Sequence, residues 1–172
     1  MRTDTIPAAG VYAIDPERTT IRCDCKALMG LLTVHGTFRL NAGQVTIADD
    51  LTQCAASASI AAGSFESGNR TRDADVVSAN LLDVKAYPEI TFSGTGARAE
   101  GQGWVLTGSV TAHGTTQPAQ VLVSEARLED GTARFRATAT LGRLGFGITK
   151  MKLRVGHTVS LNIDAVGTPV RG

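Results

Sequence analysis

Ala133-Arg134-Phe135-Arg136-Ala137-Thr138-Ala139-Thr140-Leu141 places an apolar residue at every odd position and a polar one at every even position. An extended chain sends successive side chains to opposite faces, so this stretch reads as a β-strand with one dry and one wet face. The same period returns on either side of it. Val159, Leu161, Ile163 and Ala165 alternate with Ser160, Asn162 and Asp164, and Trp104, Leu106, Gly108 and Val110 alternate with Val105, Thr107, Ser109 and Thr111. Earlier in the chain, Ile21, Cys23, Cys25 and Ala27 alternate with Arg22, Asp24 and Lys26, and Cys54, Ala56, Ala58 and Ile60 with Gln53, Ala55, Ser57 and Ser59. Strands with one wet face are antiparallel in habit.

Val11–Asp15, Leu32–Leu40, Gln44–Ala48, Glu89–Thr95 and Gln117–Leu128 add further strands. Turn signals stand between runs at Asn41-Ala42-Gly43, Gly101-Gln102-Gly103 and Glu129-Asp130-Gly131. About eight strands, each with one apolar face, predict an antiparallel sheet closed into a barrel, which removes exposed edges. A two-sheet sandwich is the alternative with the same spacing. One helix is expected between Asn69 and Ser78, capped by Ser67 or Asn69. Thr33-Val34-His35-Gly36-Thr37 is echoed by Thr111-Ala112-His113-Gly114-Thr115, which reads as two similar strand bends. Tyr87-Pro88 and Thr116-Gln117-Pro118 read as strand entries, where a missing N–H does no harm.

The chain has 172 residues, enough for one domain with a substantial core. Residues 1–10 read as a tail and 11–168 as the domain. Seventeen Lys and Arg against 16 Asp and Glu leave a net charge of +1, with the signs interspersed. No basic stripe of the kind that binds nucleic acid is present. The longest apolar run, Ala27–Leu32, is too short for an integral membrane span. Met1–Gly10 lacks the apolar centre of a secretory signal, so a cytoplasmic location is expected. The three cysteines are Cys23, Cys25 and Cys54. Cys23 and Cys25 share a strand face ~7 Å apart, awkward for a disulfide.

No Ser-His-Asp order, HExxH, P-loop or nucleophile elbow is present, and no catalytic residue is assigned. His35, His113 and His157 stand singly, two of them directly before a glycine at an expected bend. Gly142–Gly147 has a dinucleotide-loop look without strand–turn–helix context. Cys-x-Cys is not a zinc-knuckle spacing, so the cysteines are expected to act as small hydrophobes and no metal is assigned. Arg72 and Asp73 are expected to pair locally. The other reading puts Arg70 or Arg72 at a polar head group, for which guanidinium offers a planar set of donors.

The dry faces carry many small residues, such as Cys23, Ala56, Ala58, Gly108, Ala137 and Ala139. A barrel of about eight strands is either just filled by its side chains or holds one small ligand. Small inward residues favour a cavity; tight packing of a flattened barrel is the alternative.

Taken together, several pieces resemble the YceI-like family, often described as polyisoprenoid-binding proteins. They are Tyr12-Ala13-Ile14-Asp15-Pro16, Val34-His35-Gly36-Thr37-Phe38, Ser64–Asn69, Arg72-Asp73, Asp83-Val84 and Tyr87-Pro88-Glu89-Ile90-Thr91-Phe92. Leu106–Pro118, Arg143–Ile148 and Val155–Leu161 complete the order, across about residues 11–166. Arg18-Thr19 stands where the family often has His-Ser, and Leu81-Leu82 where it has paired aromatics. The resemblance implies a lipocalin-like barrel with an elongated apolar pore, a long-chain amphiphile as ligand, and frequent homodimers.

The expected function is non-catalytic carriage or sequestration of a polyisoprenoid, an isoprenoid quinone or a fatty-acid-like lipid, with no other cofactor. Alternation selects as ligand-binding Ile21, Cys23, Cys25, Ala56, Ala58, Ile60, Phe92, Leu106, Val110, Phe135, Ala137, Phe146, Leu161 and Ile163, with Leu81 and Leu82 at the entrance. The rival readings are a thiol sensor or enzyme using Cys23, Cys25 and Cys54, and an interaction scaffold with a filled interior.

Overall fold

The period-two stretches pair in sequence order to give an antiparallel meander. The computed structural model describes residues 6–27, 30–148 and 155–170. Its strands are β1 (Gly10–Ile14), β2 (Thr20–Ala27), β3 (Leu32–Ile47), β4 (Ala55–Glu66), β5 (Glu89–Glu100), β6 (Gly103–Ala112), β7 (Thr115–Glu129), β8 (Thr132–Gly142) and β9 (Val155–Pro169). Among the described residues one helix, α1 (Arg70–Val77), and two short 3-10 turns, Leu51–Gln53 and Arg143–Phe146, lie between them.

β3 pairs with both β2 and β4, and β9 with both β8 and β2, so the sheet closes on itself. β1 and β2 run in the same direction between the same two neighbours. β1 meets Gly43–Ile47 and the end of β9, while β2 meets Leu32–Phe38 and the earlier part of β9. They form one stave, interrupted at residues 15–19. The nine segments therefore make an eight-strand closed barrel, and the sandwich alternative falls away.

One end carries α1, the β6–β7 hairpin and the Arg143–Phe146 turn; we call it the helix end. The other carries the β5–β6 and β7–β8 hairpins, the Leu51–Gln53 turn and the segment before β1.

Three details differ from the sequence reading. Asn41-Ala42-Gly43 is no turn: β3 runs through it, and a register shift between Leu40 and Ala42 marks a bulge. The extra residue moves the inward positions from Phe38 and Leu40 to Gly43 and Val45, which keeps the dry face dry. Pro118 lies inside β7 rather than at its start. It is tolerated because pairing to β8 begins only at Leu122, leaving that part of β7 without a partner on its β8 side.

The two His-Gly pairs also differ from one another. His113 and Gly114 both have positive φ, 53° and 73°, and form the tight turn joining β6 to β7. His35 is in the middle of β3, exposed, facing Asp24 across the ladder at 2.5 Å.

The helix forms where expected, and Asn69 is its cap: its side-chain oxygen accepts from the Arg72 backbone N–H at 3.0 Å. Ser67 donates instead to the Asp73 carboxylate, through both its backbone N–H (3.1 Å) and its hydroxyl (2.5 Å). Asp73 is thereby held by Ser67 and not by Arg72, the partner expected from sequence. The insert is anchored by Leu81, 6% exposed, which packs with Val110, Ala112, Ala119, Phe146 and Ile148. Burying one such leucine contributes about 1.5–3 kcal/mol.

Candidate functional site

Inside the closed sheet the dry faces pack in two clusters, around Ile14, Ile21 and Leu40 and around Leu81, Val110 and Phe146, but do not fill the interior. They leave two cavities, of about 520 Å³ and about 450 Å³, which share Ile21, Ile60, Ile90, Leu141 and Leu161 as common wall. This aliphatic ring is a waist between a chamber at the helix end and a larger one at the opposite end.

Small residues open the larger chamber. Ala56 and Ala58 on β4 face Phe135 and Ala137 on β8, with Phe92, Leu106, Val110 and Ile163 completing the wall. Gly94 and Gly108 pair across β5 and β6, and a Cβ at Gly108 would lie 2.6 Å from the Gly94 Cα and 2.9 Å from the Phe92 ring. Their bare backbones give that ring its place in the wall. At the far mouth, Ile6, Pro7, Ala8 and Ala9 line the chamber, and the Tyr12 hydroxyl donates to the Ala8 carbonyl at 2.6 Å. The Cys54 sulfur accepts from Ala48 N–H at 3.4 Å and donates to the Ala48 carbonyl at 3.6 Å, closing the Leu51–Gln53 turn beside the same mouth.

The helix-end chamber is lined by Cys23, Cys25, Leu81, Leu82 and Phe146, together with Phe38, Phe65 and Val76. The fourteen positions selected by alternation, and Leu81 and Leu82 expected at the entrance, line one chamber or both. The two arginines separate: Arg72 lines the helix-end chamber, whereas Arg70 is exposed and outside it.

Burial governs the thiols. The Cys23 thiol is pushed up to about 12 by burial first, then by the charges of Asp24 and Cys25. The Cys25 thiol is also raised by burial, with the Arg143 cation opposing. All three cysteines are free, and among the described residues no group of His, Cys, Asp and Glu is placed to hold a metal ion.

Reading by alternation missed several wall residues. Ala119, Val121 and Val123 alternate legibly on β7, but a register shift between Val123 and Glu125 moves the inward position to Ala126. Arg143 entered only as part of the resemblance and was given no site role, because charge normally marks a surface. It is 5% exposed and lines the helix-end chamber. Its guanidinium donates to the Gly156 carbonyl at 2.9 Å and the Ile148 carbonyl at 2.7 Å. His113 completes this end: its ring packs against Tyr87, centroids 4.8 Å apart and planes tilted by 52°, and its Nδ1 donates to the Phe146 carbonyl at 3.2 Å. One imidazole so ties together the insert, the β6–β7 turn and the Arg143–Phe146 turn.

The walls differ in charge. Among the described residues the helix-end chamber has Lys26, Arg72 and Arg143 against one carboxylate, Asp75, and the larger chamber has Asp49 and no cation. Among the described residues no helix is long and apolar enough to cross a membrane.

The molecule is thus an all-β closed barrel with an apolar, two-chambered interior. The YceI-like domain model matches residues 12–167, and the chain belongs to that family. It is 32% identical over 167 residues to a UPF0312 protein of Pseudomonas putida (strain GB-1), covering 92% of this chain and 86% of that one. A UPF0312 protein of Azotobacter vinelandii is 30% identical over 152 residues, covering 85% of this chain and 75% of its own. In fold the chain is similar to Burkholderia cenocepacia BcnA, with TM-score 0.81, 22% identity, and 90% and 99% of the two chains covered. It is also similar to a polyisoprenoid binding domain from Saccharophagus degradans implicated in plant cell wall breakdown, with TM-score 0.67, 11% identity, and 95% and 100% covered.

Proposed function

We propose that this barrel binds one long-chain hydrophobic amphiphile, isoprenoid or fatty, and carries or sequesters it without catalysis. The observation that carries the reading is the pair of chambers meeting at the aliphatic waist. An apolar void forfeits dispersion contacts and stays dry, whereas a hydrocarbon restores those contacts. Binding strength comes from the apolar area removed from water, about 0.8 kcal/mol per buried methylene. Affinity therefore grows with chain length while chain identity is read loosely. The polyisoprenoid binding domain among the structural neighbours fits the same ligand class.

A polyene fatty acid whose fluorescence rises in apolar surroundings tests the proposal. One equivalent should bind per chain. Replacing Ile60 at the waist by Trp should shorten the usable tunnel and weaken the probe at least about tenfold, with the fold retained by circular dichroism. Leu161→Trp, from the opposite wall, should do the same. Absence of saturable binding to the unmodified protein would refute the carrier reading.

A further inference from the structure

The larger chamber is suited to hydrocarbon, since among the described residues its wall has no cation and a single carboxylate, Asp49. The helix-end chamber is different. Arg143 and Arg72 sit in its wall beside Leu81, Leu82 and Phe146, and Lys26 stands at the rim. A buried cation surrounded by apolar side chains acts through a low effective dielectric, so its attraction for an anion is far less screened than at a surface. Arg143 is held in place by the carbonyls of Ile148 and Gly156, among other partners. Arg72 is half-buried and makes no ion pair among the described residues, because Asp73 is taken by Ser67.

From this charge asymmetry we propose that the ligand enters with a defined polarity and carries an anionic head group, a phosphate or a carboxylate. That head lies in the helix-end chamber against Arg72 and in the field of Arg143, while the tail crosses the waist into the larger chamber. The inference rests on the carrier reading and narrows it: amphiphiles with a neutral head, quinones among them, should be the weaker ligands. Among the described residues Asp75 is the one carboxylate in the wall, with Arg72, Arg143 and Lys26 as its cations. Guanidinium is the group whose fork of donors matches phosphate and carboxylate oxygens.

The test compares matched pairs that differ only in the head: palmitate against methyl palmitate, and geranylgeranyl phosphate against geranylgeraniol. Binding is read by displacement of the polyene probe at low and high salt. The anionic member of at least one pair should bind about tenfold or more tightly, as expected for one charge-assisted contact, and which pair shows the gap identifies carboxylate or phosphate. Arg72→Gln should erase most of that gap, read as the affinity ratio within each pair, and Arg72→Lys should restore part of it. Equal affinity of acid and ester, and of phosphate and alcohol, would overturn the anionic head while leaving the carrier reading standing. If no member of either pair binds, both proposals fail.

Discussion

Cys23 lies in the wall of an apolar chamber where water cannot solvate a thiolate, and this has a consequence for stability. Its thiol titrates near 9 when unfolded and about 12 when folded. Because the folded value is raised, the folded chain keeps a proton that the unfolded chain releases. The associated stability is intact below about 9 and drains away as pH rises toward about 12. The urea midpoint should fall across that interval more steeply in the natural chain than in a Cys23→Ala variant; parallel pH profiles would contradict the assignment. The thiol should also resist alkylation by maleimide until the chain is unfolded. That the cysteines act as small hydrophobes was legible from their alternation with Arg22, Asp24 and Lys26. The contrast between His35 and His113 was not. Both stand in a Thr-x-His-Gly-Thr run, and the tertiary partners, Asp24 for one and Tyr87 with Phe146 for the other, separate them.

Elements were legible wherever period two ran unbroken, as in β8 and β9, and blurred wherever a bulge changed its phase. Asn41-Ala42-Gly43 has the composition of a turn, yet its neighbours keep pairing with β4 from Ser59 to Ala55. A bulge needs only one extra residue and leaves little trace in composition. The β5–β6 pair shows the reverse case, in which glycine marks close approach rather than a bend. Gly108→Ala would push a methyl group against the Ser93 carbonyl, the Gly94 backbone and the Phe92 ring. We expect about 1–3 kcal/mol of destabilisation by urea unfolding. A loss below about 0.5 kcal/mol, the range of ordinary surface changes, would show that the sheet opens there at little cost. For α1, removing the cap with Asn69→Ala should lower stability by about 1 kcal/mol, read from the same transition.

At the scale of the molecule, closure follows from two strands that each serve two neighbours, β3 and β9, with β1 and β2 sharing a stave between them. Sequence periodicity shows the dry faces but not the distance between them, so a hollow and a filled barrel read alike until the faces are set opposite one another. Alanine and cysteine at so many inward positions were the usable hint, and the chambers of about 520 and 450 Å³ are where those side chains stop short. Arg143 was given no site role for a related reason: only closure makes an arginine at the end of β8 an interior residue. The central claim is that a hydrocarbon tail occupies this interior. Its most direct measurement is mass spectrometry of the purified protein under native conditions, followed by denaturing extraction of the same sample. The account predicts one added mass of lipid size per chain, lost on denaturation and recovered in the organic phase as a long-chain amphiphile. Identical native and denatured masses, with nothing extracted and none taken up from a lipid extract offered to the protein, would contradict it.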